Sequence, residues 1–226
     1  MGLSAFKKAA GPEEKFISYT VNPQKNKPVL YWKDDKGNVF GSISNLKNYL
    51  TGKHLKLVFA MNGGMYQEDQ SPLGLYIENF KTLTHLNKRS GGGNFYMQPN
   101  GVFYIRKNNT AGICSTAAFH PSADIKYATQ SGPMLVVNGA INTLFKAGSK
   151  NLNIRNGVGI LPDNSLVFAM SKEEVSFYDF AAFFKSKGCT NALYLDGFVS
   201  RTYLPAKNWL QEDGNFGVII GVDQPQ

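Results

Sequence analysis

"VGILPDNSLVFAM", residues 158–170, holds two apolar runs that meet at Pro162-Asp163-Asn164. Proline presets the φ that opens a turn, and Asp and Asn side chains bond back to their own backbone, so the two runs read as an antiparallel hairpin. Working forward, Ser176 stands before "FYDFAAFFKSK" and Gly188 after it, with Asp179 at the third helical position. A serine cap, an acid in the first turn and a glycine stop predict a helix. Phe177, Phe180, Ala181 and Phe184 fall on one face of that helix and are core. Working back, "PMLVVNGAIN" turns at Asn138-Gly139, "FYMQPNGVFYI" at Asn100-Gly101, and "PVLYWKDDKGNVFGS" at Lys36-Gly37-Asn38, beside a strand "FISYTVNP". Asn-Gly between apolar runs is a strong hairpin signal. A shorter helix around Ser44 to Leu50 leads into the strand "LKLVFAM". No linker, charge run or internal repeat divides the chain. The pattern predicts one α+β domain over residues 1–226, a mostly antiparallel or mixed twisted sheet with a few packed helices and a cleft at the strand ends.

A chain of 226 residues with 42% hydrophobic and 18% charged residues is a folded protein able to bury a core without disulfides. Its longest apolar runs are too short to span a membrane as helices. A net charge of +8 favours anionic partners, but no Lys/Arg stripe interleaved with aromatics marks a nucleic-acid groove. Cys114 and Cys189 show no metal-type spacing; one disulfide and two buried thiols are both open. His54, His85 and His120 lie outside the polar clusters and read as packing or solvent-facing residues. Lys88 and Arg89 form a basic pair before "SGGGNF" that could help hold an anion, but a solvated turn is the better reading, and Gly91 to Gly93 lack the context of a phosphate-binding loop.

Polar, glycine-rich clusters recur where strands end. "NALYLDGFVSRTY", residues 191–203, is a buried strand that finishes on Asp196 and Gly197, followed by Ser200 and Arg201. A carboxylate there can meet a ligand in a strand-end crevice, or it can simply cap the turn. After "LKLVFA" come Asn62, Gly63 and Gly64, then Glu68 and Asp69; Gln130 and Ser131 precede Gly132-Pro133; "IRNGVGI" places Arg155 and Asn156 immediately ahead of a strand. Four clusters that each supply an acid, a cation or an amide suggest a shared site.

The ordered set "NGGMYQEDQSPLGLY", "GNFYMQPNGVFYI", "ATQSGPMLV", "IRNGVG" and "NALYLDGFVSRTY" closely resembles the phosphodiester glycosidase family. The resemblance covers residues 55–222, the motif-bearing part of the chain. It implies hydrolysis of the glycosidic bond of a sugar-1-phosphodiester or phosphoglycan, releasing sugar and a phosphomonoester. In that reading Asp196 supports the oxocarbenium-like centre or activates water, Arg155 binds phosphate through its planar fork, and Glu68 is a second carboxylate. Asn62, Gly63, Gly64, Asp69, Gln130, Ser131, Asn156, Gly197, Ser200 and Arg201 are the expected substrate-binding set. No cofactor is required, although Glu68 or Asp69 with Asp196 offers oxygen ligands for a divalent cation such as Ca or Mg. Gln67 departs from the histidine frequent at that position in bacterial relatives. Two alternatives stand beside this reading: a phosphodiesterase that breaks the P–O bond, and a non-catalytic module for anionic glycans. The start, "MGLSAFKKAAGPEEK", has no apolar h-region, but an abrupt polar start is what removal of a signal would leave, and together with the resemblance it gives the expectation of a periplasmic or extracellular location.

Overall fold

The computed structural model describes residues 14–197 and 199–226, so the N-terminal stretch just quoted and Phe198 lie outside the described residues. In chain order the elements are β1 (Phe16–Val21), β2 (Pro28–Tyr31), α1 (Ile43–Thr51), β3 (Leu55–Asn62), β4 (Tyr76–Glu78), β5 (Lys81–Thr84), β6 (Gly101–Arg106), β7 (Ala111–Ser115), β8 (Ile125–Ser131) and β9 (Met134–Val137). They continue with β10 (Ala140–Ile141), β11 (Asn156–Ile160), β12 (Leu166–Ser171), α2 (Phe177–Ser186), β13 (Asn191–Asp196), β14 (Thr202–Leu204), β15 (Trp209–Leu210) and β16 (Ile219–Pro225). The strands form three sheets, ordered β1-β12-β11-β13-β9-β10, β15-β14-β3-β16-β2 and β5-β4-β8-β6-β7. All strand pairs among the described residues are antiparallel, so the sheets are not mixed, and with two α-helices the fold is mostly β within the α+β class. No helix among the described residues is long and apolar enough to cross a membrane.

The period of two explains how one sheet serves two layers. Along β12, Leu166, Phe168 and Met170 enter a central core shared with Phe59 of β3, Phe103 of β6 and Ile220 of β16, so all three sheets meet there. The alternate residues Val167 and Ala169 face α2 and its Phe180 and Phe184. Both faces of this sheet are therefore buried, which is why its strands read as continuous apolar runs. The helix packs down on the glycines of β11: a Cβ on Gly159 would stand 2.6 Å from Phe184 Cδ1 and 2.5 Å from Cys189 Sγ. Burying a phenylalanine side chain contributes about 2 kcal/mol, so the α2 stripe is a main support of the sheet that carries Asp196.

The local signals hold where chemistry is local. Ser176 Oγ accepts from the Asp179 amide at 3.1 Å and donates to its carboxylate at 2.7 Å, and Gly188 ends the helix at φ +83°. Asn138 and Gly139 both adopt positive φ between β9 and β10, and Asn164 turns β11 into β12. Asn100-Gly101 is a correction. No hairpin forms there, because Asn100 Nδ2 is drawn to the Phe95 carbonyl at 3.0 Å and β6 finds its partners in β7 and β8. Cys114 and Cys189 are free thiols.

Candidate functional site

Three strand ends from two sheets converge on one carboxylate. Asn62 closes β3, Asn156 opens β11, and Asp196 closes β13. The register between β11 and β13 slips at this point: Gly157 faces Tyr194, but Asn156 faces Asp196, so Leu195 is the extra residue of a bulge. A bulge re-aims side chains, and here it puts the acid opposite an amide. Asn62 is the hub. Its Oδ1 accepts from Asn156 Nδ2 at 2.7 Å and from the Arg201 amide at 3.0 Å, and its Nδ2 donates to Asp196 Oδ2 at 3.0 Å. Asn156 Oδ1 in turn accepts the Asp196 amide at 2.7 Å. Asn62 and Asn156 are both wholly buried.

Among the described residues no cation pairs with Asp196. The Gly197 amide donates to its Oδ1 at 2.7 Å, and Ser200 Oγ closes the turn by donating to the Gly197 carbonyl at 2.7 Å. Burial pushes the Asp196 carboxyl up to about 6 from 3.8, against the lowering effects of the Gly197 amide and the Asn62 side chain. A group with that poise exchanges protons near neutral pH. It opens on a cleft of about 420 Å³ walled by Met65, Tyr66, Gln67, Glu68, Leu73 and Val199. Glu68 is exposed on this wall and has no hydrogen-bond or ion-pair partner among the described residues. Tyr66, which lines the same cleft, is held above its ordinary pKa by burial and then by the Asp196 charge. Neither Tyr66 nor Met65 was singled out from sequence, though both sit inside the "NGGMYQED" motif.

Other expected residues serve elsewhere. Asp69 turns inward on its own loop, where its Oδ1 accepts from the Ser71 amide and hydroxyl at 2.9 and 2.6 Å, and these bonds lower its pKa. Gln130 is buried: its Oε1 accepts the Leu75 and Asn87 amides, and its Nε2 donates to the Asn87 carbonyl and Thr116 Oγ1. Ser131 Oγ donates to the Leu195 carbonyl at 2.8 Å, tying β8 to the strand that ends on Asp196. The Gly63 amide is taken by the Val218 carbonyl at 2.8 Å. Gly64 lets the chain pass Thr129, whose Oγ1 would stand 2.8 Å from any Cβ there. Gln67, at the position of departure from the family pattern, donates to Ser71 Oγ at 2.8 Å while lining the cleft.

Arg155 requires a correction, since its fork does not face Asp196 across the cleft. It is fully buried on the α2 side, with Nε donating to the Val175 carbonyl at 2.8 Å and Nη2 to the Asn151 carbonyl at 2.9 Å. Its guanidinium stacks 3.6 Å from the Phe177 ring centroid, and Nη1 is buried with no hydrogen-bond partner. Asn156 turns its side chain to Asn62 and the Asp196 amide, whereas Arg155, just ahead of β11, turns to Val175, Phe177 and Asn151. The cation joined to the cluster is Arg201. Its Nε lies 2.8 Å from Asp213 Oδ1, and its Nη1 donates to the Ser200 carbonyl at 3.0 Å. As for a divalent cation, no three His, Cys, Asp or Glu side chains among the described residues are grouped to hold one.

Comparison with known proteins adds an independent observation. Residues 55–221 match the model of the phosphodiester glycosidase family. The chain is 42% identical over 188 residues to the uncharacterized protein YigE of Escherichia coli (strain K12), covering 83% of this chain and 73% of that protein. Among solved structures, the catalytic domain of zebrafish N-acetylglucosamine-1-phosphodiester alpha-N-acetylglucosaminidase, auto-inhibited by its pro-peptide, superposes with a TM-score of 0.62 at 15% identity. That superposition covers 92% of this chain and 83% of the zebrafish domain. A hypothetical protein from Synechocystis superposes with a TM-score of 0.54 at 13% identity, covering 92% of this chain and 59% of that one. At such identities the likeness of structures speaks for the fold.

Proposed function

Because the chain belongs to the phosphodiester glycosidase family, we propose that it hydrolyses the glycosidic C–O bond of a sugar-1-phosphodiester, with Asp196 at the reacting centre. The observation that carries this reading is a carboxyl at the base of a cleft, fixed through both oxygens by Asn62 and Gly197, with its pKa raised to about 6. Two donors hold the carboxylate in one orientation, while the lack of a cation leaves its charge available to the substrate. A phosphomonoester is a good leaving group and needs little acid help, so the larger demand is stabilisation of the oxocarbenium-like carbon. Ionised Asp196 supplies that. Glu68, unpartnered on the cleft wall, is the carboxylate placed to take a proton from water. The phosphate falls to Arg201, whose Nη2 carries no hydrogen bond among the described residues.

Hydrolysis of a synthetic sugar-1-phosphodiester in oxygen-18 water tests the reaction. Label in the released sugar supports C–O cleavage. Label in the phosphate would convert the assignment to a phosphodiesterase, and absence of turnover across a panel of sugars and aglycones would leave a binding module. The pH dependence follows from the raised pKa. Asp196 is ionised above about 6, so kcat/KM rises with pH through that value.

A further inference from the structure

A second cavity, of about 400 Å³, is bounded by Asn87, Lys88, Arg89, Gln98, Asn100 and Thr116 together with Ala117. It carries two adjacent cations and no acidic residue. Lys88 has no ion-pair or hydrogen-bond partner among the described residues, and Arg89 spends only Nε, on Asn87 Oδ1 at 3.4 Å. Both line one cavity with no acid beside them, so the local field there favours an anion. The pair is also built onto a rigid floor. Gln130, 1% exposed, grips residue 87 at both main-chain groups, accepting its N–H at 2.8 Å and donating to its carbonyl at 2.7 Å, and binds Thr116 Oγ1 at 3.2 Å. A buried side chain fixing the residue before the cations distinguishes this place from a solvated turn. One hydrogen bond joins the walls of the two cavities: Asn87 Nδ2 donates to the carbonyl of Leu73, and Leu73 lines the cleft of Asp196.

We propose that this cavity is an anion subsite for a second phosphate of the same substrate, so that the preferred substrate is a polyanionic phosphoglycan rather than a singly charged phosphodiester. The inference deepens the proposed function and rests on it for the word substrate; the anion site itself stands on the cavity. Arg89 supplies a planar fork and Lys88 a point charge, the combination suited to phosphate oxygens, and Gln98 and Thr116 add neutral donors. A volume of about 400 Å³ is within the range of small-ligand sites and accepts a phosphate with an attached sugar.

The test titrates inorganic phosphate into isotopically labelled wild type, into Lys88→Gln/Arg89→Gln, and into Asp196→Asn, and follows backbone amide resonances. Saturable shifts at residues 87–89 and 116–117 are expected in wild type and in Asp196→Asn, weakened at least about tenfold in the double variant. Equal phosphate affinity with and without the two cations, or shifts confined to residues 62–68 and 196–201, overturns the subsite. Both cations are exposed, and the dispersion of the same spectra verifies the fold of the double variant. In a second arm, a disaccharide joined by a phosphodiester and bearing one further phosphate is bound to Asp196→Asn. It should bind about tenfold more tightly than inorganic phosphate and lose that advantage in the triple variant. Equal binding of the two ligands overturns the substrate assignment in favour of a free-phosphate site. Neither arm requires turnover, so failure of the hydrolysis assay and failure of the subsite are separate results.

Discussion

Asn62 and Gln130 are both buried amides near the ends of strands, 0% and 1% exposed, and each joins segments distant in sequence. They differ in what stands at the far end of their hydrogen bonds. Gln130 meets only main chain and a threonine hydroxyl, so every bond it makes is a strut. Asn62 spends one donor on Asp196, a carboxyl with raised pKa that opens on a cleft. The same chemical group is thus scaffold in one place and a positioning residue in the other. Only the second should leave a mark on a pH–rate profile.

The largest effect is expected at the carboxyl itself. Asp196→Asn should lower kcat on a sugar phosphodiester by about 10³ or more while the circular dichroism spectrum stays native. The stability sign runs opposite to the usual acidic residue: the folded protein holds this proton more tightly than the unfolded chain, so ionising Asp196 costs stability. The cost is absent below pH 3.8, grows as pH rises through about 6, and is full above it. Thermal melts of Asp196→Asn should therefore match or exceed wild type at pH 8, by an amount on the order of 1 kcal/mol after the lost hydrogen bond, and lose that advantage at pH 4. Wild-type turnover by the Asn variant would remove Asp196 from the mechanism.

Asn62→Ala comes next, and it sharpens the comparison. It removes a donor to Asp196, takes one of the two acceptors from Asn156 Nδ2 and leaves the Arg201 amide without its acceptor, so kcat should fall about 10²-fold with a stability loss of about 2 kcal/mol. Loss of the donor raises the Asp196 pKa further. The acid limb of kcat/KM must then move above its wild-type position; a limb that stays in place would make Asn62 a strut like Gln130.

Gln130→Leu is the converse case. It leaves the Leu75 and Asn87 amides without acceptors in the interior, for a loss of about 3 kcal/mol in chemical denaturation. Residual kcat should stay within about threefold of wild type and the acid limb should not move, because no bond of Gln130 reaches Asp196. A displaced limb would break the distinction between the two amides.

Arg155→Lys should have the smallest effect, about 2 kcal/mol of stability from the lost Phe177 stack and the carbonyl bonds that an ammonium cannot reproduce as a fork. Phosphate inhibition should be unchanged. If it weakens instead, the unpartnered Nη1 reaches the ligand, and Arg155 returns to the phosphate role its sequence position suggested.

What the sequence determined by itself was what short-range chemistry settles. The Ser176 cap and aromatic stripe of α2, the Asn138-Gly139 and Asp163-Asn164 turns, and the strand that finishes on Asp196 each depend on residues a few positions apart. Turn dihedrals and helix caps are decided within that span. The ordered motifs were enough to indicate the family as well. Tertiary structure decided which polar residues share a site. Asn62 and Asn156 meet across 94 residues, and Asn62 and Asp196 across 134, through a bulge that no local pattern announces. It also decided that Arg155, adjacent to Asn156, packs on Phe177 of α2, because the Val175 and Asn151 carbonyls that take its guanidinium come from a distant segment and its own loop brought together by the fold. Likewise Asn100-Gly101 carries hairpin chemistry but opens a strand, because long-range pairing with β8 and the pull of the Phe95 carbonyl outweigh the intrinsic preference of two residues.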